Sequence, residues 1–338
     1  QRAPAFSLPA ENRPMDDDER ARLQNDYPRR RAGSRHSLFG VPDYPMEKSA
    51  FEVSDEEREQ AYESAWDKGE LIAIMQQYND LLIDDAANET AANFVRNKIR
   101  SIVKDPDVAE TLCPTSFPIG TKRACLDTGY YEMFNQDHVE LVDLLKSPIE
   151  KITATGVKTS DREFEFDAIV FATGFDAMTG AIVNVDVRGV DGVELADKWD
   201  AGPRAYLGLA AHQFPNLFMI TGPGSPSVMS NMIVSIEQHV EWITDCLVQA
   251  RDNDVATIEA TSEAEQLWVD HVNDVANMTL FPQANSWYMG ANVPGKPRLF
   301  MPYIGGCGVY RDKCDEVAKN GYEGFTMSSH TVKHASAG

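Results

Sequence analysis

Three textures of apolar and polar positions succeed one another along the chain. Residues 12–43 are polar, rich in Pro and Arg and without periodicity, which predicts irregular structure over a surface. After a Ser54-Asp-Glu-Glu57 capping box, Ala61, Ala65, Leu71, Ile74, Met75, Tyr78 and Leu82 recur at helical spacing, with Gly69 as a break. A second helix is expected over 88–104, capped by Asn88 and stopped by Pro106. From 139 onward the pattern shortens into strands at 139–145, 149–153, 156–159 and 163–166, a small antiparallel meander. The run 168–172 is apolar throughout and therefore expected to be a strand buried on both faces. Further strands are expected at 181–187 and 217–221, the latter opening a long amphipathic segment that ends near Gln249. The tail beyond Phe325 has no hydrophobic pattern and is expected to be mobile.

These elements predict an α/β protein in which two strands end in glycine turns. The first is Ala172-Thr-Gly-Phe-Asp176, where Gly174 permits close backbone approach; the second is Gly222-Pro-Gly-Ser-Pro226. A strand that turns into a helix directs backbone N–H groups and the helix dipole beyond its carboxyl end, a place for a phosphate or an electron-rich ring oxygen. Two such ends suggest a nucleotide enzyme, although either alone is common in α/β proteins.

Composition narrows the classes. Hydrophobic residues make up 43% of 338 residues and charged residues 25%, enough for two or three cores. The 31 basic and 53 acidic residues give 31 − 53 = −22, which disfavours nucleic acid and anionic membrane as partners. No apolar run approaches the ~20 residues of a membrane span. The five cysteines are odd in number and form no C-x-x-C pair, so free thiols in a reducing cytoplasm are expected. The seven histidines show no i,i+4 pair backed by a carboxylate at metal spacing; His330 and His334 lie in the polar tail, and no metal site is expected. No nucleophile elbow is present.

Taken in order, Ala172-Thr-Gly-Phe-Asp176, Phe214-Pro-Asn-Leu-Phe218, Gly222-Pro-Gly-Ser-Pro226, Ser235-Ile-Glu-Gln-His-Val-Glu-Trp242 and Ser286-Trp-Tyr-Met-Gly-Ala-Asn-Val-Pro-Gly-Lys296 resemble the flavin-dependent Baeyer–Villiger monooxygenases, and within them the phenylacetone monooxygenase-like enzymes. The resemblance runs from Gln1 to about Phe325. It implies part of a two-dinucleotide-binding (FAD and NADPH) fold with a helical insertion. Residues 1–7 and 118–175 would belong to the NADPH-binding domain, 8–117 to the insertion, 176–325 to the FAD-binding domain with its substrate and control loops, and 326–338 to a flexible tail. The family's FAD fingerprint, its central signature and its Gly-rich NADPH turn are not found, so the chain is expected to be the carboxyl-terminal part of a larger enzyme whose amino-terminal part is its missing partner. The implied activity is oxidation of ketones to esters or lactones with O2, through a C4a-peroxyflavin.

The resemblance also assigns roles. Pro118-Ile-Gly-Thr-Lys-Arg123 places two cations side by side; on the residues alone a solvated basic pair stays open, and adjacent side chains point different ways. By resemblance Arg123 stabilises the peroxide anion, for which a permanently charged guanidinium with several donors is suited. Lys122 contacts NADPH, and Arg2 binds its 2′-phosphate, with Ala3 where the family has a hydroxyl. Thr173, Gly174 and Asp176 are implied in cofactor binding. Ser227, Val228 and Met229 would line the ketone pocket, or else form a packing cluster at the helix entry. Ser230, Asn231 and Met232 would face the isoalloxazine, where helix N–H groups favour negative charge. Trp287, in a loop with Gly290, Pro294 and Gly295, would fold over nicotinamide and substrate. Heteroatom-oxidising flavin monooxygenases and a non-catalytic remnant are the alternatives.

Overall fold

The computed structural model describes residues 4–10, 13–42 and 46–329. In chain order its regular elements are β1 (Ser7–Pro9), α1 (Asp17–His36), α2 (Asp55–Lys68), α3 (Asp85–Ile102), α4 (Pro106–Leu112), β2 (Cys125–Asp127), β3 (Ile149–Ile152), β4 (Gly156–Thr159), β5 (Glu163–Glu165), α5 (Gly180–Val183), α6 (Leu195–Lys198), α7 (Met232–Asp252), β6 (Val255–Ala260), α8 (Ser262–Asn277), α9 (Cys307–Lys319) and β7 (Phe325–Ser329). Two compact units divide the chain, one of Gln1–Pro14 with Tyr44–Phe175, the other of Met15–Asp43 with Asp176–Gly338. Residues 15–43, expected within the helical insertion, thus cluster with the carboxyl-terminal unit.

In the first unit the predicted cap of α2 is present. Ser54 Oγ accepts the Glu57 N–H at 3.2 Å, and Gly69 closes the helix in the left-handed region at φ 61°. Residues 70–83 continue as turns rather than helix. Asp84, not Asn88, caps α3, accepting the Ala87 N–H at 2.8 Å. Asn88 is buried, where its amide donates to the carbonyls of Leu81 (2.6 Å) and Ile119 (2.8 Å) and accepts the Ile119 N–H (3.0 Å). That clamp holds α3 to the segment carrying Lys122 and Arg123. Pro106 occupies the first turn of α4, where its missing N–H costs nothing.

β1 and β2 form a short parallel pair, Ser7 opposite Cys125 and Leu8 opposite Leu126. The expected meander is present as antiparallel β3-β4-β5, but residues 139–145 are irregular. The expected buried strand at 168–172 is also irregular and exposed, Val170 at 89%. Its apolar run asks for a neighbour on each side, and among the described residues no strand pairs with it.

In the second unit α1 replaces the irregular structure expected over 12–43. It is a helix without an apolar stripe, held instead at its ends: Asp16 accepts the Glu19 N–H at 2.7 Å, Asp17, Asp18 and Glu19 fill the first turn, and Arg35 and His36 the last. Arg31 pairs with Glu237 at 2.9 Å and Arg35 with Glu241 at 3.4 Å on α7, so the polar faces meet. The main core gathers Tyr206, Leu207, Trp242, Trp268, Tyr303 and Tyr310 between α7, α8, α9 and β6. A smaller one holds Leu195, Trp199, Phe214 and Met219. Within it, the strand expected at 181–187 is the short helix α5, because Ile182 and Val183 N–H both find the Thr179 carbonyl at 2.9 Å. The strand expected at 217–221 is irregular as well. Of the tail expected to be mobile, residues 325–329 form β7, which pairs antiparallel with β6, Ala260 opposite Phe325 and Ile258 opposite Met327, and the alternating Phe325 and Met327 pack on the core; residues 330–338 lie outside the described residues.

Candidate functional site

The expected site residues fall in both units and are described unit by unit. In the first, Gly120 stands at φ 86°, and a Cβ there would meet Met75 Cε at 2.8 Å and Leu82 Cδ2 at 2.9 Å, so glycine is needed to start the turn. Thr121 is fully buried and donates to the Pro118 carbonyl at 2.6 Å. With the turn thus fixed, the two cations diverge: Lys122 Nζ lies 4.2 Å over the Phe117 ring, and Arg123 is exposed. Thr173 and Gly174 are exposed too. Gly174 has φ 80° and open space where a Cβ would stand, so its backbone is approachable by a ligand, though from an exposed turn and not a buried strand end. Arg2 lies outside the described residues.

In the second unit the Gly222-Pro-Gly-Ser-Pro226 turn is buried, and its N–H groups are largely committed internally. Gly224 N–H donates to Met301 O (2.7 Å) and Ser225 N–H to Gly222 O (3.1 Å), so this turn is not the open cradle expected. Trp268 Nε1 donates to Gly224 O at 2.9 Å, and Ser225 O accepts the Tyr303 N–H at 2.7 Å, fixing the turn from behind. Trp268 and Tyr303 also line a cavity of about 770 Å³ with Tyr206, Leu267, His271 and Lys313; none of the expected site residues lines it.

After the turn, Ser227–Met229 form a single 3₁₀ turn. Ser227 is buried at φ 43°, while Val228 and Met229 are half-buried and able to form a wall. Asn231 caps α7, accepting the Ile233 N–H at 3.2 Å, with Met232 as the first helical residue. α1, α2, α3 and α8 begin with acidic residues that complement the helix dipole, whereas the first turn of α7 has none. Its donors are suited to an electron-rich partner. Trp287 opens a 3₁₀ turn closed by Gly290, with its ring 4.3 Å from Tyr288. Lys296, at the end of that loop, forms an ion pair with Asp176, so Asp176 is tied to the loop.

Sequence reasoning passed over His239, Trp268 and Lys296 as individual residues. His239 is fully buried against Tyr310, its Nδ1 accepts the Thr221 N–H at 3.0 Å, and burial, helped by Arg311, lowers its pKa to about 4. The only available signal was its place in Ser235-Ile-Glu-Gln-His239 on an amphipathic helix. All five cysteines are free thiols, with Cys125 exposed and the rest buried. No helix among the described residues is long and apolar enough to cross a membrane.

No family model matches the sequence. A Baeyer–Villiger monooxygenase of Pseudooceanicola batsensis is 39% identical over 324 residues, 95% of this chain and 59% of that protein. A phenazine N-monooxygenase of Lysobacter antibioticus is 39% identical over 331 residues, 97% of this chain and 60% of its own length. Among solved structures, an oxidised steroid monooxygenase bound to NADP superposes with a TM-score of 0.91 at 46% identity, covering 97% of this chain and 61% of that one. The chain therefore spans about 60% of the length of the relatives it matches. Along almost its whole length, in sequence and in fold alike, the chain is similar to part of the Baeyer–Villiger monooxygenases.

Proposed function

We propose that the protein carrying this sequence, together with the amino-terminal part that its relatives possess, uses FAD, NADPH and O2 to convert ketones into esters or lactones in the cytoplasm. The reading rests on one observation: likeness to a Baeyer–Villiger monooxygenase extends over 95% of the chain. The first turn of α7, free of acidic side chains, and the open backbone at Gly174 fit a flavin and a dinucleotide. Bound FAD, reduced by NADPH, supplies the electron transfer and oxygen activation.

The chain's own residues then have distinct tasks. Arg123 offers a planar guanidinium with several donors, to hold negative oxygen beside the ketone carbonyl. Lys122 and Arg2 meet the 2′-phosphate of NADPH; Thr173 and Gly174 let its backbone-bound portion approach, with Asp176 steadying the Trp287 loop through Lys296. Ser230, Asn231 and Met232 present the start of α7 to the flavin ring. Ser227, Val228 and Met229 wall the ketone, and Trp287 excludes water above it. One relative, the phenazine N-monooxygenase, favours a second reading, oxidation of a ring nitrogen. Product analysis with a ketone beside an N-heterocycle separates the two.

In the full-length protein, Arg123→Ala should lower ester yield about a hundredfold or more, the cost of removing a principal donor to a developing oxyanion. The protein should stay folded and keep its flavin. Near-normal ester yield in that variant would remove Arg123 from the reaction.

A further inference from the structure

No step of the proposed reaction uses Ser235 or His239, yet both lie buried on one face of α7, four residues apart. Each grips one foot of the same loop. His239 Nδ1 accepts the Thr221 N–H at 3.0 Å, where the loop begins, and Ser235 Oγ meets Ser230 Oγ at 2.6 Å, where it ends. Between those feet lies the segment Ser227–Met229. Thr221 and Ser227 hold left-handed φ values of 53° and 43°, conformations that β-branched and other side chains adopt only when surroundings impose them.

We propose that Ser235 and His239 form a two-point clamp that sets the position of Ser227–Met229 and so the shape of the ketone pocket, making both specificity-determining positioning residues. The inference rests on the proposed function for its pocket, but the clamp itself is a property of the loop. Its chemistry requires an imidazole that accepts at Nδ1 and keeps its proton on Nε2, the neutral form. The surroundings keep it so: α7 contributes no cation beside it, Tyr310 of α9 packs against the ring in an edge-type contact, and the guanidinium of Arg311 on α9 opposes a second positive charge. Glu241 on α7 faces that guanidinium at 3.9 Å and not the ring.

The test compares His239→Asn, whose side-chain oxygen can stand where Nδ1 stood, with His239→Phe, which keeps a flat ring against Tyr310 but cannot accept, and with Ser235→Ala. Hydrogen exchange of residues 217–232 is read in the full-length protein without ketone, alongside ester regiochemistry and the kcat and KM for the ketone. His239→Phe should speed exchange at Thr221 about fivefold to tenfold, the effect of one lost hydrogen bond, raise the ketone KM and alter regiochemistry, with the KM for NADPH unchanged. His239→Asn should restore all three, and Ser235→Ala should combine with His239→Phe less than additively. Wild-type exchange at Thr221 in His239→Phe overturns the clamp. Faster exchange with an unchanged regiochemistry and KM overturns its role in positioning. If the protein oxidises no ketone at all, the proposed function fails, while exchange at Thr221 still decides the clamp. Should His239→Phe not fold, nitrogen NMR of the wild-type imidazole decides: a protonated Nδ1 at neutral pH is the overturning result.

Discussion

At the scale of single residues, buried polar side chains act as couplings between segments, and their protonation becomes part of stability. His239 ordinarily titrates near 6.5, and in the folded protein its pKa is lowered to about 4, first by burial and then by Arg311. Between those pH values the unfolded chain binds a proton that the native protein does not. The contribution is therefore complete above pH 6.5 and disappears as pH falls toward 4, amounting to about 3 kcal/mol at most. We expect the acid-side loss of stability, read from urea midpoints between pH 7 and 4.5, to be smaller in His239→Asn than in the wild type. Parallel losses in both proteins would show that His239 does not titrate as described. Asn88 illustrates the same economy without charge: of the three hydrogen bonds of its amide, two join α3 to Ile119 in the turn before Lys122 and one reaches back to Leu81. Lys122 and Arg123, adjacent in sequence, diverge because the turn before them is fixed, one toward the Phe117 ring and the other toward solvent.

At the scale of elements, local helix chemistry and long-range pairing separate cleanly. α1 stands on its cap, on its charged ends and on ion pairs to α7, none of which an apolar stripe would reveal. Residues 168–172 have the composition of an inner strand without its ladder. β7 is the converse, a polar-looking tail made into a strand by pairing with β6. Its Phe325 ring lies 5.2 Å from Tyr206 and 5.8 Å from Trp242. Phe325→Ala should therefore cost about 3 kcal/mol, the low end for removing a packed phenyl ring because Phe325 is only partly buried. Urea unfolding followed by tryptophan fluorescence measures it, and an unchanged midpoint would mean that β7 contributes nothing to the core.

At the scale of the whole molecule, the net charge of −22 mainly bears on solubility, and cofactor retention depends on which backbone donors stay unspent. The sequence carries no G-x-G-x-x-G turn, and the Gly222 turn spends its Gly224 and Ser225 N–H groups on Met301 O and Gly222 O. A pyrophosphate needs such N–H groups unspent. Residues 1–338 purified alone should accordingly hold little FAD, whereas the full-length protein should hold it stoichiometrically. Visible absorbance of the two preparations, normalised to protein, is the measurement; a stoichiometrically yellow preparation of residues 1–338 would refute the expectation.

Sequence by itself determined what depends on near neighbours: the capped start of α2 at Ser54, its end at Gly69, the meander of β3, β4 and β5, and the ordered motifs that carry the family resemblance. Those features rest on i→i+3 and i→i+4 contacts, on period-two alternation and on turn residues, all written within a few positions. Tertiary structure decided whatever depends on a distant partner. Strand formation at 168–172 and 217–221 failed although the local pattern favoured it, because a ladder needs a second chain segment that the pattern does not name. β2 formed because Cys125 meets Ser7, and Asn88 became a clamp because Ile119 reaches it from 31 residues away. His239 holds Thr221 across 18 residues for the same reason: burying a polar group obliges it to find a partner, and only the folded chain determines which one is near.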